Sequence, residues 1–95
     1  MELFLFARLH ARPGSEAALK EAIQAVEGPT RSEDGCLGYQ AFRSVRIQGE
    51  FYVHSCWRDL AAFERHASLP HTVKFLSTVE PLIDHPVSVS LTEPL

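Results

Sequence analysis

The chain has 95 residues, of which 45% are apolar, and a formal net charge of −3. This composition excludes a disordered chain, and the length predicts a single domain spanning residues 1–95 with one small core. The nine basic residues form no cluster suited to a phosphate backbone, so we expect no nucleic-acid partner. No apolar stretch is long enough for a bilayer and no signal-peptide pattern opens the sequence, so we expect a cytoplasmic protein without membrane contact.

The two cysteines, Cys36 and Cys56, lie too far apart for a Cys-x-x-Cys motif. Two cysteines alone do not make a disulfide framework. We therefore expect both to be buried, reduced side chains that act as small hydrophobes.

The first part of the chain predicts a strand followed by a helix. Residues 3–11 alternate with a period of two, and the apolar residues of both parities at the start indicate a strand covered on both faces there. From Ser15, a candidate N-cap, the spacing becomes helical. Gly28-Pro29 interrupts this pattern, and Thr30 with Glu33 reads as a capping box for one further turn. We expect a kinked or two-part helix.

The remainder predicts a hairpin, a divided helical region and a last strand. Residues 36–46 and 50–58 alternate on either side of Gly49. Asp59 is a natural N-cap for a short helix, which Pro70 ends while starting the next. The inward residues expected for the first of these helices are Leu60, Phe63 and Ala67. The last strand follows Pro86.

The element order β-α-β-β-α-β predicts the α+β class and the ferredoxin-like fold, a four-stranded antiparallel sheet with both helical regions on one face. The opposite sheet face carries Phe4, Phe6, Phe42 and Tyr52, and is too apolar to be left in water. Two such faces packed together would close a barrel, so we expect a homodimer.

Three stretches, taken in order, carry a resemblance to a known family. They are Arg12-Pro13-Gly14, then Pro29-Thr30-Arg31 with Glu33-Asp34-Gly35-Cys36-Leu37 and Tyr39, then Trp57-Arg58-Asp59 with Ala62-Phe63, His66 and Pro70-His71. With the closing Glu93-Pro94-Leu95 they span nearly the whole chain. In this order and spacing the sequence resembles the antibiotic biosynthesis monooxygenase family.

The resemblance implies a small dimeric α+β barrel that oxidises electron-rich phenols or quinols with dioxygen, without flavin, haem or metal. It also marks two departures, because many members have a glutamate at the position of Ser55 and a tyrosine at that of His54. The haem-degrading members carry residues that this sequence lacks near Ala7, His66 and Phe75. We therefore expect no cofactor.

Two histidines are the candidate catalytic bases. Histidine titrates near pH 6.5, which suits removal of a proton from a phenol. His66 and His71 would point apart on an unbroken helix, but the break at Pro70 allows them to converge on one cleft. The alternative, that both cap helix ends, stays open. The two histidines are neither three nor four residues apart, and no carboxylate completes a triad with them at short spacing, so we expect no metal site.

Five further side chains are candidates for binding the substrate. Aromatic rings can stack on a flat substrate, and an arginine can bind an anionic oxygen. The candidates are Tyr39, Trp57, Phe63, Phe75 and Arg43. Core packing for Trp57 and simple solvation for Arg43 are the alternatives.

The sequence favours a cofactor-independent monooxygenase acting on a quinol-like or small polyphenolic substrate. Two other functions stay open. Ser55 in place of the usual glutamate favours a non-catalytic ligand-binding or stress-associated dimer. The same two histidines would also suit an isomerase or degradative enzyme for a small carbonyl compound.

Overall fold

The computed structural model describes residues 1–95 and contains four strands and three α-helices in the predicted order. The strands are β1 (Leu3–His10), β2 (Cys36–Arg43), β3 (Glu50–Trp57) and β4 (Ser88–Thr92); the helices are α1 (Glu16–Arg31), α2 (Leu60–Ser68) and α3 (Pro70–Val79). The sheet is antiparallel with the order β2-β3-β1-β4, which confirms the ferredoxin-like α+β fold. None of the helices is long and apolar enough to cross a membrane.

One core lies between the sheet and the helices. Alternate residues of β1 and β3 point into it, because successive side chains of a strand face opposite sides of the sheet. Leu9 of β1 and Trp57 of β3 are among its most deeply buried members, and α1 contributes Leu19 and Ile23. The period-two pattern that predicted both strands therefore also identified the sheet face that the helices cover.

The predicted break of the first helix is wrong. α1 runs without interruption from Glu16 to Arg31 with Pro29 in its last turn. Both Gly28 and Pro29 are exposed to solvent. Thr30, on the opposite side, is completely buried and holds the last turn against the sheet. Packing of this buried side chain outweighs the hydrogen bond lost at the proline.

The predicted capping box is also wrong, because the helix passes through Thr30. Its hydroxyl is buried without a hydrogen-bond partner, and the side chain of Glu33 turns instead toward α2 and α3. Ser15 occupies the N-cap position of α1, but its side chain makes no capping hydrogen bond.

A β-bulge near the start of β2 alters the predicted alternation of this strand. Cys36 pairs with Trp57, whereas Gly38 pairs with Cys56, so Leu37 is an extra residue. Leu37 is 53% exposed and does not share the buried face with Tyr39. Beyond the bulge, the predicted parity of Tyr39 and Ala41 is confirmed by their packing against the core.

The two short helices meet at Pro70 as predicted. The Asp59 carboxylate caps α2 by accepting a hydrogen bond of 2.8 Å from the backbone N–H of Ala62, and Pro70 occupies the first turn of α3. Ala62 is the buried residue of α2, whereas Leu60 and Ala67, predicted to face inward, are exposed and Phe63 is half-buried. Ala62 has a small side chain at the point where α2 lies closest to the loop between α1 and β2.

That close approach is made against Gly35. A Cβ atom placed on Gly35 would lie 2.6 Å from the Cβ of Ala62, and Gly35 has a φ of +89°. Any larger residue at Gly35 would therefore collide with α2 and strain the backbone. The contact draws the segment around residues 33–35 against α2.

The sheet face opposite the helices is apolar and exposed. Phe6, Phe42 and Tyr52 are each more than one-third exposed there, and Phe6 and Phe4 pack around the ring of His54. At one end of this face, the Glu50 carboxylate accepts hydrogen bonds from Arg8 and from the Tyr52 hydroxyl. The predicted apolar second face is thus present in the protomer.

Neither cysteine is fully buried, which corrects the prediction for both. Cys36 and Cys56 are free thiols and half-buried. Removal from water raises the pKa of each thiol above its ordinary value. Both side chains are therefore weakly nucleophilic near neutral pH.

Candidate active site

A cavity of about 160 Å³ lies between the sheet and the divided second helical region. Twelve of the 16 residues that line it are hydrophobic, and the lining comes from all four strands or their flanks and from all three helices. A concave, mostly apolar cavity with a few polar groups is the usual form of a small-molecule site.

Four of the predicted site residues line this cavity. They are Tyr39, Phe63, His66 and Phe75. Tyr39 reaches it from β2, Phe63 and His66 from α2, and Phe75 from α3. These four side chains bring together the aromatic wall and one of the two candidate bases.

The other three predicted residues lie outside the cavity lining. Trp57 is completely buried behind the wall, where its Nε1–H donates a 3.0 Å hydrogen bond to Ser55 Oγ and its ring centroid lies 4.5 Å from that of His66. Arg43 is exposed beside a separate depression between α1 and β2. His71 faces a groove between α1 and α3. Trp57 thus packs in the core and Arg43 is exposed to solvent, as the two alternative interpretations state.

A carboxylate joins the two histidines. Glu33 Oε2 lies 2.8 Å from Nδ1 of His66 and 2.6 Å from Nε2 of His71. The Glu33 side chain is only 7% exposed, against 16% for His66 and 27% for His71. The three side chains form a largely buried hydrogen-bonded cluster, which we call the Glu33 cluster.

Three separate features of the chain produce this cluster. Glu33 follows the end of α1 and is held near α2 by the contact between Gly35 and Ala62. His66 lies in the last turn of α2, and His71 lies in the first turn of α3, beyond the break at Pro70. The predicted convergence of the histidines is confirmed, with their ring centroids 6.3 Å apart. They converge on Glu33 rather than on a shared cavity.

The hydrogen bonds assign the ring protons. An ionised carboxylate only accepts hydrogen bonds, so His66 must carry a proton on Nδ1 and His71 one on Nε2. Nε2 of His66 makes no hydrogen bond within the chain, and in a neutral ring with the proton on Nδ1 it is the nitrogen that can accept a proton. A histidine oriented by a carboxylate through one nitrogen, with the other nitrogen free, is the arrangement of a general base in many hydrolases. His66 combines this arrangement with a place in the cavity wall.

Several hydroxyl groups accompany His66 in the cavity. Tyr39 lies directly opposite Ser55 in the β2-β3 pairing, and Thr72 Oγ1 lies 3.3 Å from Nδ1 of His66. Burial raises the pKa of the Tyr39 phenol well above its ordinary value, so this group stays protonated at neutral pH. Thr30 adds a fully buried hydroxyl that has no partner.

Comparison with known proteins assigns the chain to a family. Residues 3–77 match the sequence profile of the antibiotic biosynthesis monooxygenase family. The chain belongs to this family. Rv0793 of Mycobacterium tuberculosis, which is named as a monooxygenase, is 33% identical over 91 residues, covering 96% of this chain and 89% of Rv0793. Family membership and this name support a monooxygenase-like function.

Solved structures agree with the family assignment. The structure of Rv0793 superposes with a TM-score of 0.95 at 32% identity, covering 100% of this chain and 96% of that one. PA3566 of Pseudomonas aeruginosa gives a TM-score of 0.92 at 34% identity, covering 99% and 94%. A family protein of Deinococcus radiodurans, 24% identical, gives a TM-score of 0.90 over 97% and 91%, which shows the shared fold.

Within this family member, the Glu33 cluster also contains the ligand types of a metal site. Two imidazoles and a carboxylate are common ligands of zinc and other divalent transition metals, and their ligand atoms all lie within 4.8 Å of one another. The prediction of no metal site considered only carboxylates at short spacing, whereas the fold brings in Glu33 from 33 positions before His66. That the protein works without a metal stays a prediction.

Sequence reasoning missed Glu33 and Thr30 as site residues. Both lie within a stretch that carries the family resemblance, but their spacing of three residues also fits a capping box. A local motif offered a complete explanation for both residues, which concealed their long-range roles. The burial of Thr30 also follows from helical spacing, since it continues the buried stripe of Ile23 and Val26 on α1.

Proposed function

We propose that this protein is a cofactor-independent monooxygenase that oxidises a small phenol or quinol with dioxygen, with His66 as the general base. The observation that carries the proposal is the position of His66, which lines the apolar cavity while its Nδ1 is held by Glu33. His71, the other candidate base, contacts the same carboxylate but does not line the cavity. The geometry therefore favours His66.

The chemistry requires a base because a quinol reduces dioxygen readily only after losing a hydroxyl proton. In this proposal, Nε2 of His66 takes that proton, and the resulting anion transfers electrons to dioxygen. One oxygen atom enters the ring to give a hydroxyquinone, and the other leaves as water. The substrate supplies all the electrons, so no external reductant is needed.

The cavity supports this reaction through its apolar lining. Its lining is predominantly hydrophobic, and Phe63 and Phe75 offer apolar faces to a flat ring. A dry environment strengthens the hydrogen bonds that hold the substrate and protects the reactive anion. The protonated Tyr39 phenol can donate a hydrogen bond to a substrate oxygen.

Glu33 and His71 act as positioning residues in the proposal. Glu33 fixes the ring and tautomer of His66, and the hydrogen bond from His71 orients the carboxylate in turn. Trp57 restricts His66 further, because the two rings lie against each other behind the cavity wall.

The active form in this proposal is a homodimer joined through the exposed sheet face. That face presents Phe6, Phe42 and Tyr52 to solvent in the protomer. Pairing of two such faces would remove their apolar surface from water. A chain of this length also has a small core of its own, so association adds burial that the protomer lacks.

Oxygen uptake measured with a panel of quinols and phenols, without added cofactor, tests the proposed function. We expect consumption of one dioxygen per quinol, and loss of that activity in His66→Ala. Saturable ligand binding without oxygen uptake would contradict the proposal and favour a non-catalytic binding dimer. Conversion of a carbonyl compound without oxygen uptake would favour an isomerase.

A further inference from the structure

The polar groups of the cavity lie at one end of it. Tyr39 and Ser55 are paired across β2 and β3. The Ser55 hydroxyl accepts a hydrogen bond from Trp57, and the Trp57 ring lies against the ring of His66. Thr30 is joined to this region because its carbonyl accepts a hydrogen bond from the Glu33 backbone N–H. Thr30, Tyr39, Ser55 and His66 all contribute to the lining of the cavity.

The other end of the cavity is apolar. Ala7 and Val89 pair across β1 and β4, and both line the cavity with Val87. The strand order β2-β3-β1-β4 places Tyr39 and Val89 on opposite edges of the sheet. A ligand that spans the cavity therefore meets hydroxyl groups and an imidazole at one end and only hydrocarbon at the other.

Several polar groups at the polar end have donors or acceptors that no protein group uses. Thr30 Oγ1 is fully buried and has no partner in the chain. Nε2 of His66 is also unpartnered, and Ser55 Oγ, which accepts from Trp57, still has its own proton to donate. Leaving buried polar groups unpaired costs free energy unless a ligand or water completes them. The set combines an acceptor at His66 with hydroxyl groups that donate and accept.

The volume of the cavity matches a ligand of one ring. An apolar protein cavity of about 150 Å³ holds a benzene molecule, and this cavity measures about 160 Å³. A ligand bearing hydroxyl groups on one edge of a single ring fits both the volume and the distribution of polar groups.

We infer that the cavity binds a single-ring catechol, with its adjacent hydroxyl groups directed to His66 and to Thr30 and Tyr39, and its apolar edge directed to β4. One hydroxyl donates to Nε2 of His66, and the other exchanges hydrogen bonds with the Thr30 and Tyr39 hydroxyls. Thr30 is a specificity-determining residue in this arrangement. The inference narrows the substrate class of the proposed function and rests on it for the reaction, but not for binding.

Anaerobic calorimetric titration tests the ligand class without turnover. The ligands are 4-methylcatechol, toluene, which has the same ring and methyl group without hydroxyls, and anthrone, which has three rings. We expect saturable binding of one 4-methylcatechol per chain, at least tenfold tighter than toluene, and no binding of anthrone. Tighter binding of anthrone or toluene, or no binding of 4-methylcatechol, would overturn the inference.

The variant Thr30→Val tests the role of the buried hydroxyl. Valine has nearly the shape of threonine, so the unliganded variant should melt at the same or a higher temperature than the wild type. Its affinity for 4-methylcatechol should fall about tenfold, whereas its affinity for toluene should not fall. Thr78→Val is the matched control, since the Thr78 hydroxyl donates to a backbone carbonyl on an exposed part of α3. Equal catechol affinity in wild type and Thr30→Val would overturn the assignment of Thr30.

The two proposals fail in different ways. Binding of 4-methylcatechol with the expected Thr30 dependence, but without oxygen uptake in air, would reject the monooxygenase reaction and keep the ligand class. Oxygen uptake with larger quinols that bind more tightly than 4-methylcatechol would keep the reaction and reject the single-ring ligand.

Discussion

Glu33 Oε2 lies 2.8 Å from Nδ1 of His66, although the two residues are 33 positions apart in the chain. The Glu33 side chain is only 7% exposed. The same oxygen lies 2.6 Å from Nε2 of His71. This one atom therefore links the end of α1 to both short helices beside the cavity.

Glu33→Gln should lower kcat by about 10- to 100-fold with little change in KM. The amide keeps the size of the side chain but lacks the negative charge that stabilises His66 once it has taken the substrate proton, and Glu33 itself does not line the cavity. Steady-state kinetics of oxygen uptake measure the effect. Glu64→Gln, an exposed glutamate of α2, is the control. A variant as active as the wild type would remove Glu33 from the mechanism.

Substitution of the two histidines should have unequal effects. His66→Ala should reduce turnover by about 100-fold or more, because a general base typically contributes 10² to 10⁴. His71→Ala should cost about tenfold, because it acts only through Glu33. Turnover and melting temperature measured together separate catalytic from structural loss. A larger loss for His71→Ala would identify His71 as the base instead.

Chelators should leave the activity unchanged, whereas added zinc should inhibit. The proposed reaction uses no metal, but the Glu33 cluster offers two imidazoles and a carboxylate that Zn²⁺ can bind. Zinc bound there would occupy Glu33 and Nδ1 of His66 and disturb the orientation of the base. Oxygen uptake after EDTA treatment and during a zinc titration provides the test, with elemental analysis of the purified protein. Activity lost with EDTA and restored by a stoichiometric metal would contradict the cofactor-free reaction.

The protein should sediment at twice the 10.6 kDa of one chain at micromolar concentration. Phe42→Glu should shift it toward the monomer, because the charge would be placed in the proposed apolar interface. Leu60→Glu is matched in exposure but lies on α2, away from that sheet face, and should stay dimeric. Sedimentation velocity of the three proteins distinguishes the outcomes. A monomeric wild type would reject the barrel.

Glu50 should contribute to stability at neutral pH and less in acid. Hydrogen bonds from Tyr52 and then Arg8 hold the pKa of the Glu50 carboxyl below its usual value. A carboxyl whose folded-state pKa is lowered stabilises the fold above its unfolded-state pKa of about 4.3, and this stabilisation is lost as the pH falls through the folded-state value. Glu50→Gln should therefore lower the melting temperature at pH 7 more than at pH 3.

Exposed Glu93 provides the matched control for that experiment, since Glu93→Gln removes a charge without removing such contacts. Thermal unfolding of both variants and the wild type at the two pH values measures the difference. An equal destabilisation by Glu50→Gln at pH 3 and pH 7 would show that the carboxyl charge is not responsible.

The elements that depend on local physics were predictable from the sequence. The alternation of β3 identified Phe51, Val53 and Trp57 as buried, because a strand has a strict period of two. Asp59 and Pro70 marked real helix starts, because a capping carboxylate and a proline act on the backbone within one turn. These signals, with the family resemblance, were sufficient for the ferredoxin-like order.

Only the tertiary structure decided which residues make the site. Pro29 stays inside α1 because Thr30 packs against the sheet, and Leu37 leaves the buried face because a bulge adjusts β2 to β3. Thr30 and Glu33 fit a local capping box. In the structure, however, Thr30 lines the cavity and Glu33 contacts both histidines. Local spacing cannot reveal such roles, because they depend on which distant groups the folded chain brings within hydrogen-bonding distance.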